Sequence, residues 1–251
     1  MTWRFLNTGR SDGAYNMALD LALAESVRNK SSGPVLRFYD WEQPTISLGY
    51  NQDAGQLDLE ACRQAGVKVV RRPTGGRAVF HFNEFTYSVI APQENPLLGG
   101  PVLNTYRTIA QALVAGLSQL GIESELQRSQ SAGASVKDSP LCFAAAGRYE
   151  ITASGKKILG SAQRRIQGVI LQQGSLLLAQ DQNLAPFYRQ GAEANATTAE
   201  ELLGRKVSFE QAAGCMMQGF KLAWAVDFTR DDITPPEQRE TEKYLSQVDI
   251  L

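Results

Sequence analysis

The stretch Val67-Lys-Val-Val-Arg-Arg-Pro-Thr-Gly-Gly-Arg-Ala-Val-Phe-His-Phe-Asn-Glu-Phe-Thr-Tyr-Ser-Val-Ile90 carries most of the information in this 251-residue chain. An apolar run at Val67, Val69 and Val70 leads into the arginine pair Arg71-Arg72. A Pro-Thr-Gly-Gly turn follows, and a second apolar stretch then carries the single histidine, His81. Strand, glycine turn and strand bring backbone amides and guanidinium groups beside bare main chain. Two readings fit: a site for a ligand with an oxygen-rich head and a long body, or an ordinary hairpin with a solvated basic turn.

Composition narrows the class. With 43% hydrophobic and 20% charged residues, the chain reads as globular. Nothing approaches the roughly 20 apolar residues that a membrane span needs, and the N-terminus lacks the apolar core of a signal peptide. A net charge of −1 with no basic tail argues against nucleic acid as a partner. Cys62, Cys142 and Cys215 are odd in number, far apart and in no zinc spacing. They point to a reducing cytoplasm, without a disulfide framework or structural metal.

Along the chain the pattern predicts a mixed α/β fold. Helices are expected over residues 14–27, 57–64, 104–120 (ended by Gly121) and 209–224. Strands are expected over 3–6, 35–39, 45–50, 149–152, 157–163 and 169–178. Thr197 or Thr198 reads as the cap of a short helix. Pro235-Pro236 reads as a stop before a final helix, and residues after about 190 as a candidate small helical C-terminal subdomain. Residues 128–140 form a polar loop rich in small residues, which delivers the chain to Cys142.

The motif from Arg71 through Gly75, Gly76 and His81 to Val89 resembles the signature of the lipoate-protein ligase and octanoyltransferase superfamily. So do Asn16-Met-Ala-Leu-Asp20, Pro44-Thr-Ile-Ser-Leu-Gly49 and Gly155-Lys-Lys-Ile-Leu-Gly-Ser-Ala-Gln163. These matches run collinearly from residue 3 to about 225. Cys142, fifteen residues before Lys157, resembles in particular the cysteine-dependent octanoyltransferases. One departure stands out: the family usually has an aspartate after the motif histidine, and here that position is Phe82, so that either Asn83 or Glu84 takes its polar role or the loop is rebuilt.

The resemblance implies a biotin/lipoate protein ligase catalytic-domain fold, with mixed, largely antiparallel sheets flanked by helices, in one catalytic domain over 1–251. It implies octanoyl transfer from acyl carrier protein to a lysine of a lipoyl domain, such as glycine cleavage H protein or a 2-oxoacid dehydrogenase E2. A thioester donor is already activated, so neither ATP, metal nor other cofactor is implied. In this reading Cys142 is the nucleophile and Lys157 the cation that lowers its pKa. Arg72, Gly75, Gly76, His81, Ser161 and Ala162 are expected to bind the acyl substrate. Arg71 and Lys156 should face away, and Cys62 and Cys215 should be core. Arg164-Arg165 reads either as a surface charge pair or as a dock for the acidic carrier. The alternatives are an ATP-dependent lipoate-protein ligase, an amidotransferase moving octanoyl between lipoyl domains, and a non-catalytic lipoyl-domain-binding relative.

Overall fold

In the computed structural model, residues 2–128, 149–179, 185–187 and 196–251 are described. The chain runs β1 (Thr2–Ser11), α1 (Gly13–Arg28), β2 (Val35–Trp41), β3 (Thr45–Leu48), α2 (Leu59–Gln64), β4 (Lys68–Arg71), β5 (Val79–His81), β6 (Glu84–Pro92) and α3 (Val102–Leu120). It continues with β7 (Glu125–Arg128), β8 (Tyr149–Ala153), β9 (Lys156–Ile166), β10 (Val169–Leu177), α4 (Ala199–Leu203), α5 (Phe209–Trp224), β11 (Asp227–Arg230) and α6 (Pro235–Val248). Eight strands form one sheet in the order β11-β1-β2-β6-β10-β9-β8-β7, and three form a second, β4-β3-β5. The large sheet is parallel only where β1 meets β11 and β2.

Alternation along the strands gives the large sheet two distinct faces. Phe38, Phe85, Tyr87, Val89 and Leu176 turn to α3 and α5, whose Ile109, Leu113, Met216 and Phe220 complete the main core. The opposite face carries Val35, Ile90 and Leu171 beneath Leu19 and Leu23 of α1. It also presents a band of buried polar groups, among them Arg37, Glu84, Thr86, Ser88, Gln173 and Ser175. Helix α1 lies over this face, with its other side against Trp41 and Val70. It is therefore buried nearly all round rather than along one stripe. Asp12 caps it, accepting from the amides of Ala14 and Tyr15, a contribution of about 1 kcal/mol.

The quoted stretch departs from a simple hairpin. β4 and β5 do not pair with each other; each flanks β3, β4 in parallel and β5 antiparallel. The apolar run after the glycines is also two strands. Asn83 adopts φ +47, a left-handed conformation that asparagine tolerates, and it sends β5 into the small sheet and β6 into the large one. The small sheet's own core of Ile46, Leu48, Val69 and Phe80 closes over Cys62 of α2.

Late elements share the core of the early ones. β11 pairs with β1 at the edge of the large sheet, α5 packs along α3, and α6 along α1. Pro235 begins α6 rather than stopping the chain before it. Thr234 and Glu237 form a capping box there, and proline suits a first turn whose N–H has no helical partner. Among the described residues, no helix is long and apolar enough to cross a membrane.

Candidate active site

A pocket opens between the small sheet and the polar face of the large one, with about 410 Å³ of empty space that is partly open to solvent. Met17, Tyr39 and Trp41 form its back, Ser47, Val79 and His81 one wall, and Arg72 and Thr74 its rim. The floor is two adjacent strand segments, Gly160–Ala162 of β9 and Gln173–Ser175 of β10. Small residues on these strands leave the room.

The glycine turn is held rigidly at the rim. Arg72 donates to the Gly75 carbonyl from Nε (3.1 Å) and a terminal nitrogen (2.7 Å), and to the Arg77 carbonyl (2.6 Å). Its other terminal nitrogen meets the carbonyl (2.8 Å) and Oγ (3.1 Å) of Ser47. Arg72 thus lines the pocket while bracing its rim. Arg71 points elsewhere and binds the carbonyls of Gly49 and Gln52 in the neighbouring loop. Gly76 sits at φ +91, and its carbonyl lies so close to Gly49 that a methyl group there would come within 1.9 Å. Arg164 adds a strut, donating to the Pro73 carbonyl (3.1 Å) and covering the Tyr50 ring at 3.4 Å. Arg165 donates to the Gly100 carbonyl.

A buried relay ties this turn to the interior. Thr74 Oγ1 donates to Gln173 Oε1 (2.8 Å), and Gln173 Nε2 donates to Asp20 Oδ2 (2.7 Å). Asp20 Oδ1 pairs with Arg37 at 2.7 Å, with both side chains fully buried. Ser88 donates to Asp20, and Arg37 donates to the side chain and backbone of Asn16. The Asn16–Asp20 motif therefore compensates a buried guanidinium, and one turn of α1 reaches the pocket rim through Gln173. Burial and the Asp20 charge push the Tyr39 phenol well up, so it remains a neutral donor.

His81 stands in the pocket wall, its ring stacked on Trp41 at 3.9 Å and 10°. Nε2 meets Ser47 Oγ at 2.7 Å, and Nδ1 meets Glu84 Oε1 at 2.7 Å. Glu84 thus takes the polar place beside the histidine that a residue at 82 would supply, while Phe82 packs against the small sheet's core. Ser161 turns its hydroxyl to Tyr87 (2.8 Å), and Tyr106 binds its carbonyl (2.6 Å). Burial pushes the Tyr87 phenol up to about 12. Ala162 lies under Gly76, 3.8 Å from where a Cβ would stand.

Lys157 is buried, and its ammonium binds Glu150 Oε1 at 2.8 Å. A β-bulge directs it there. Leu159 faces Ile151 across the ladder, yet Lys157, not Ile158, faces Thr152. The extra residue reverses alternation, so Lys157 shares the pocket face with Gly160, Ala162 and Glu150 instead of the core face with Leu159. Lys156 is exposed and pairs with Glu201 at 3.3 Å. Cys142 lies outside the described residues. Cys62 is buried in the small sheet's core, where burial pushes its thiol up, and Cys215 packs partly buried beside the main core.

A two-sheet fold with a pocket between the sheets and a buried lysine on the same face defines the architecture, and comparison with known sequences names its class. Residues 12–221 match the lipoyl protein ligase A/B catalytic domain family, and the chain belongs to that family. Within it, the chain is 40% identical to octanoyltransferase LipM of Moorella thermoacetica, over 94% of this chain and 92% of that protein. It is 37% identical to octanoyltransferase LipM of Bacillus subtilis, over 88% and 85%. In fold it is similar to the crystal structure of lipoate-protein ligase A bound with ATP (TM-score 0.78, 23% identity, 98% of this chain and 95% of that one). A structure from the archaeal lipoylation system of Thermoplasma acidophilum, a bi-partite lipoate protein ligase and its E2 lipoyl domain, is equally close in fold (TM-score 0.77, 21% identity, 98% and 93%).

Proposed function

We infer that this protein is an octanoyltransferase of protein lipoylation, using a thioester on Cys142 as its intermediate. Chain-long identity to octanoyltransferases carries the transfer; the cysteine intermediate rests on the sequence resemblance of Cys142 and Lys157 to the cysteine-dependent octanoyltransferases. The donor is octanoyl on acyl carrier protein, and the acceptor a lysine of a lipoyl domain.

In this reading the Cys142 thiolate attacks the donor carbonyl, a carbon–sulfur bond forms, and the carrier thiolate leaves. The acceptor amine then attacks the new thioester, forms the amide and returns the thiolate to Cys142. An unperturbed thiol has a pKa of about 8.5 and is only a few per cent ionised at neutral pH. A nearby ammonium favours the thiolate and stabilises a tetrahedral oxyanion. Lys157 suits both tasks, because Glu150 orients it on the pocket face. In this reading the acyl chain runs from beneath the Gly75-Gly76 turn toward the Gly160–Ala162 floor, along Met17 and Val79. Each buried methylene contributes about 0.8 kcal/mol.

Mixing the protein with octanoyl-acyl carrier protein, without ATP, tests the proposal by intact mass. An octanoyl adduct that moves on to a lipoyl domain, and that Cys142→Ala abolishes, is expected. Strict dependence on ATP would replace it with ligation, and full transfer by Cys142→Ala would remove the covalent step.

A further inference from the structure

Serine, imidazole and carboxylate stand in line at one wall of the pocket. Ser47 Oγ lies 2.7 Å from His81 Nε2, and His81 Nδ1 lies 2.7 Å from Glu84 Oε1. Glu84 Oε1 also accepts from Trp41 Nε1 at 3.0 Å, from Ser175 Oγ at 2.7 Å and from the Thr86 hydroxyl. Because three other donors already converge on Glu84 Oε1, the imidazole also donates to it, from Nδ1. In that tautomer Nε2 is an acceptor, and the Ser47 hydroxyl donates to it. Arg72, 3.1 Å from the same Oγ, is a donor and cannot compete for that proton. The stack on Trp41 fixes the ring plane. Polarity and reach are those of a serine nucleophile with its base and orienting acid.

We propose that Ser47 is a second acyl-accepting nucleophile of this pocket, activated by His81 and Glu84, whose substrates are activated acyl thioesters. In the step, the Ser47 proton passes to His81 Nε2 as Oγ bonds to the carbonyl carbon. The thioester carbon–sulfur bond breaks, and the leaving thiolate takes the proton from Nε2, so that an ester and a thiol result. The Arg72 guanidinium favours the negative charge that grows on Oγ. Glu84 and Lys157 lie on the same sheet face with only β10 between their strands, about 10 Å apart at the usual strand spacing. The acyl arm of this proposal rests on the octanoyl-transfer reading; activation of the serine does not.

The test uses the full-length Cys142→Ala protein and two probes, a fluorophosphonate and the N-acetylcysteamine thioester of octanoate. Both should leave an adduct on the peptide that contains Ser47. The Cys142→Ala/Ser47→Ala protein should show none. Cys142→Ala/His81→Gln should label at least about 100-fold more slowly, the usual contribution of a general base. Circular dichroism and melting of each variant exclude a folding loss. Labelling at the same rate without His81, or no adduct on Ser47 from either probe in a folded protein, overturns the proposal. Labelling by the fluorophosphonate alone keeps the activated serine and removes its acyl role. Transfer by the unmodified protein through Cys142 is measured separately, so failure of one reading is distinguishable from failure of the other.

Discussion

Replacing Gly49 by alanine tests whether the exact seating of the glycine turn matters to the chemistry. The added methyl would lie 1.9 Å from the Gly76 carbonyl oxygen, whereas real contacts of this kind do not fall below 3.0 Å, so the two segments must part by at least about 1 Å. Neither side yields easily. Arg72 N donates to the Leu48 carbonyl and Tyr50 N to the Thr74 carbonyl, both at 2.9 Å, while the Arg72 side chain grips the carbonyls of Gly75 and Arg77. Overpacking of this kind costs about 1–3 kcal/mol, and for a chain of this size each kcal/mol lowers Tm by about 2–4 °C. A reacting group displaced by 1 Å loses about 100-fold in rate. Gly49→Ala should therefore fold, melt several degrees early, and lose about two orders of magnitude in kcat/KM for octanoyl transfer to a lipoyl domain. Gly75→Ala is the comparison, because a methyl there meets nothing within 4 Å; activity lost from that variant reports a ligand in the space. Wild-type Tm and kcat/KM for Gly49→Ala would refute the reasoning.

Three further outcomes follow from the buried charges. Asp20→Ala strips the Arg37 guanidinium of its carboxylate in a fully buried place and should cost about 3–5 kcal/mol, read as a shift in the urea midpoint; a loss below about 1 kcal/mol would contradict it. Lys157→Ala should slow iodoacetamide alkylation of Cys142 at pH 7 and move its profile to higher pH, whereas Lys156→Ala should not; the reverse pattern means the wrong lysine. Burial alone would push the Glu237 carboxyl up, but hydrogen bonds from Arg4 and from the Thr234 amide and hydroxyl outweigh it and hold the group below its usual value. Its stabilisation is complete above the unfolded value of about 4.3 and is lost as pH falls through the lower folded value. Glu237→Gln should accordingly flatten the decline of Tm in that acidic window, and an undiminished decline would rule this carboxylate out as a contributor.

Local patterns carried much of the fold. The apolar spacing of α5 marks its whole length, and Gly121, at φ +93, closes α3 where the sequence places its end. Thr198 caps α4 through the Glu201 amide. What local pattern could not reveal depends on residues far apart in the chain. The division of residues 79–90 between two sheets turns on Asn83, without a proline or glycine to announce it, and β3 enters between β4 and β5 from twenty residues upstream. The relay from Thr74 to Arg37 spans four separate elements. Asn16 and Asp20 were visible as a motif, but their task required Arg37 and Gln173 to be brought beside them. Asn83 and Glu84 both read as substitutes beside His81, and the structure puts Glu84 there; the donors that converge on its Oε1 come from β2, β5, β6 and β10 and have no sequence signature.

The bulge at Ile158 bears on how relatives of this chain are aligned. In a flat ladder of the same sequence, Ile158 would take the place opposite Thr152, and the ammonium would be forced into the greasy layer beneath α3. Remove residue 158 altogether and the regular pleat restores Lys157 to that place. A homologue one residue shorter here has not lost its lysine; it sets the same amine on the same side of the sheet, forgoing only a local coil of the strand and one interior methyl-rich side chain.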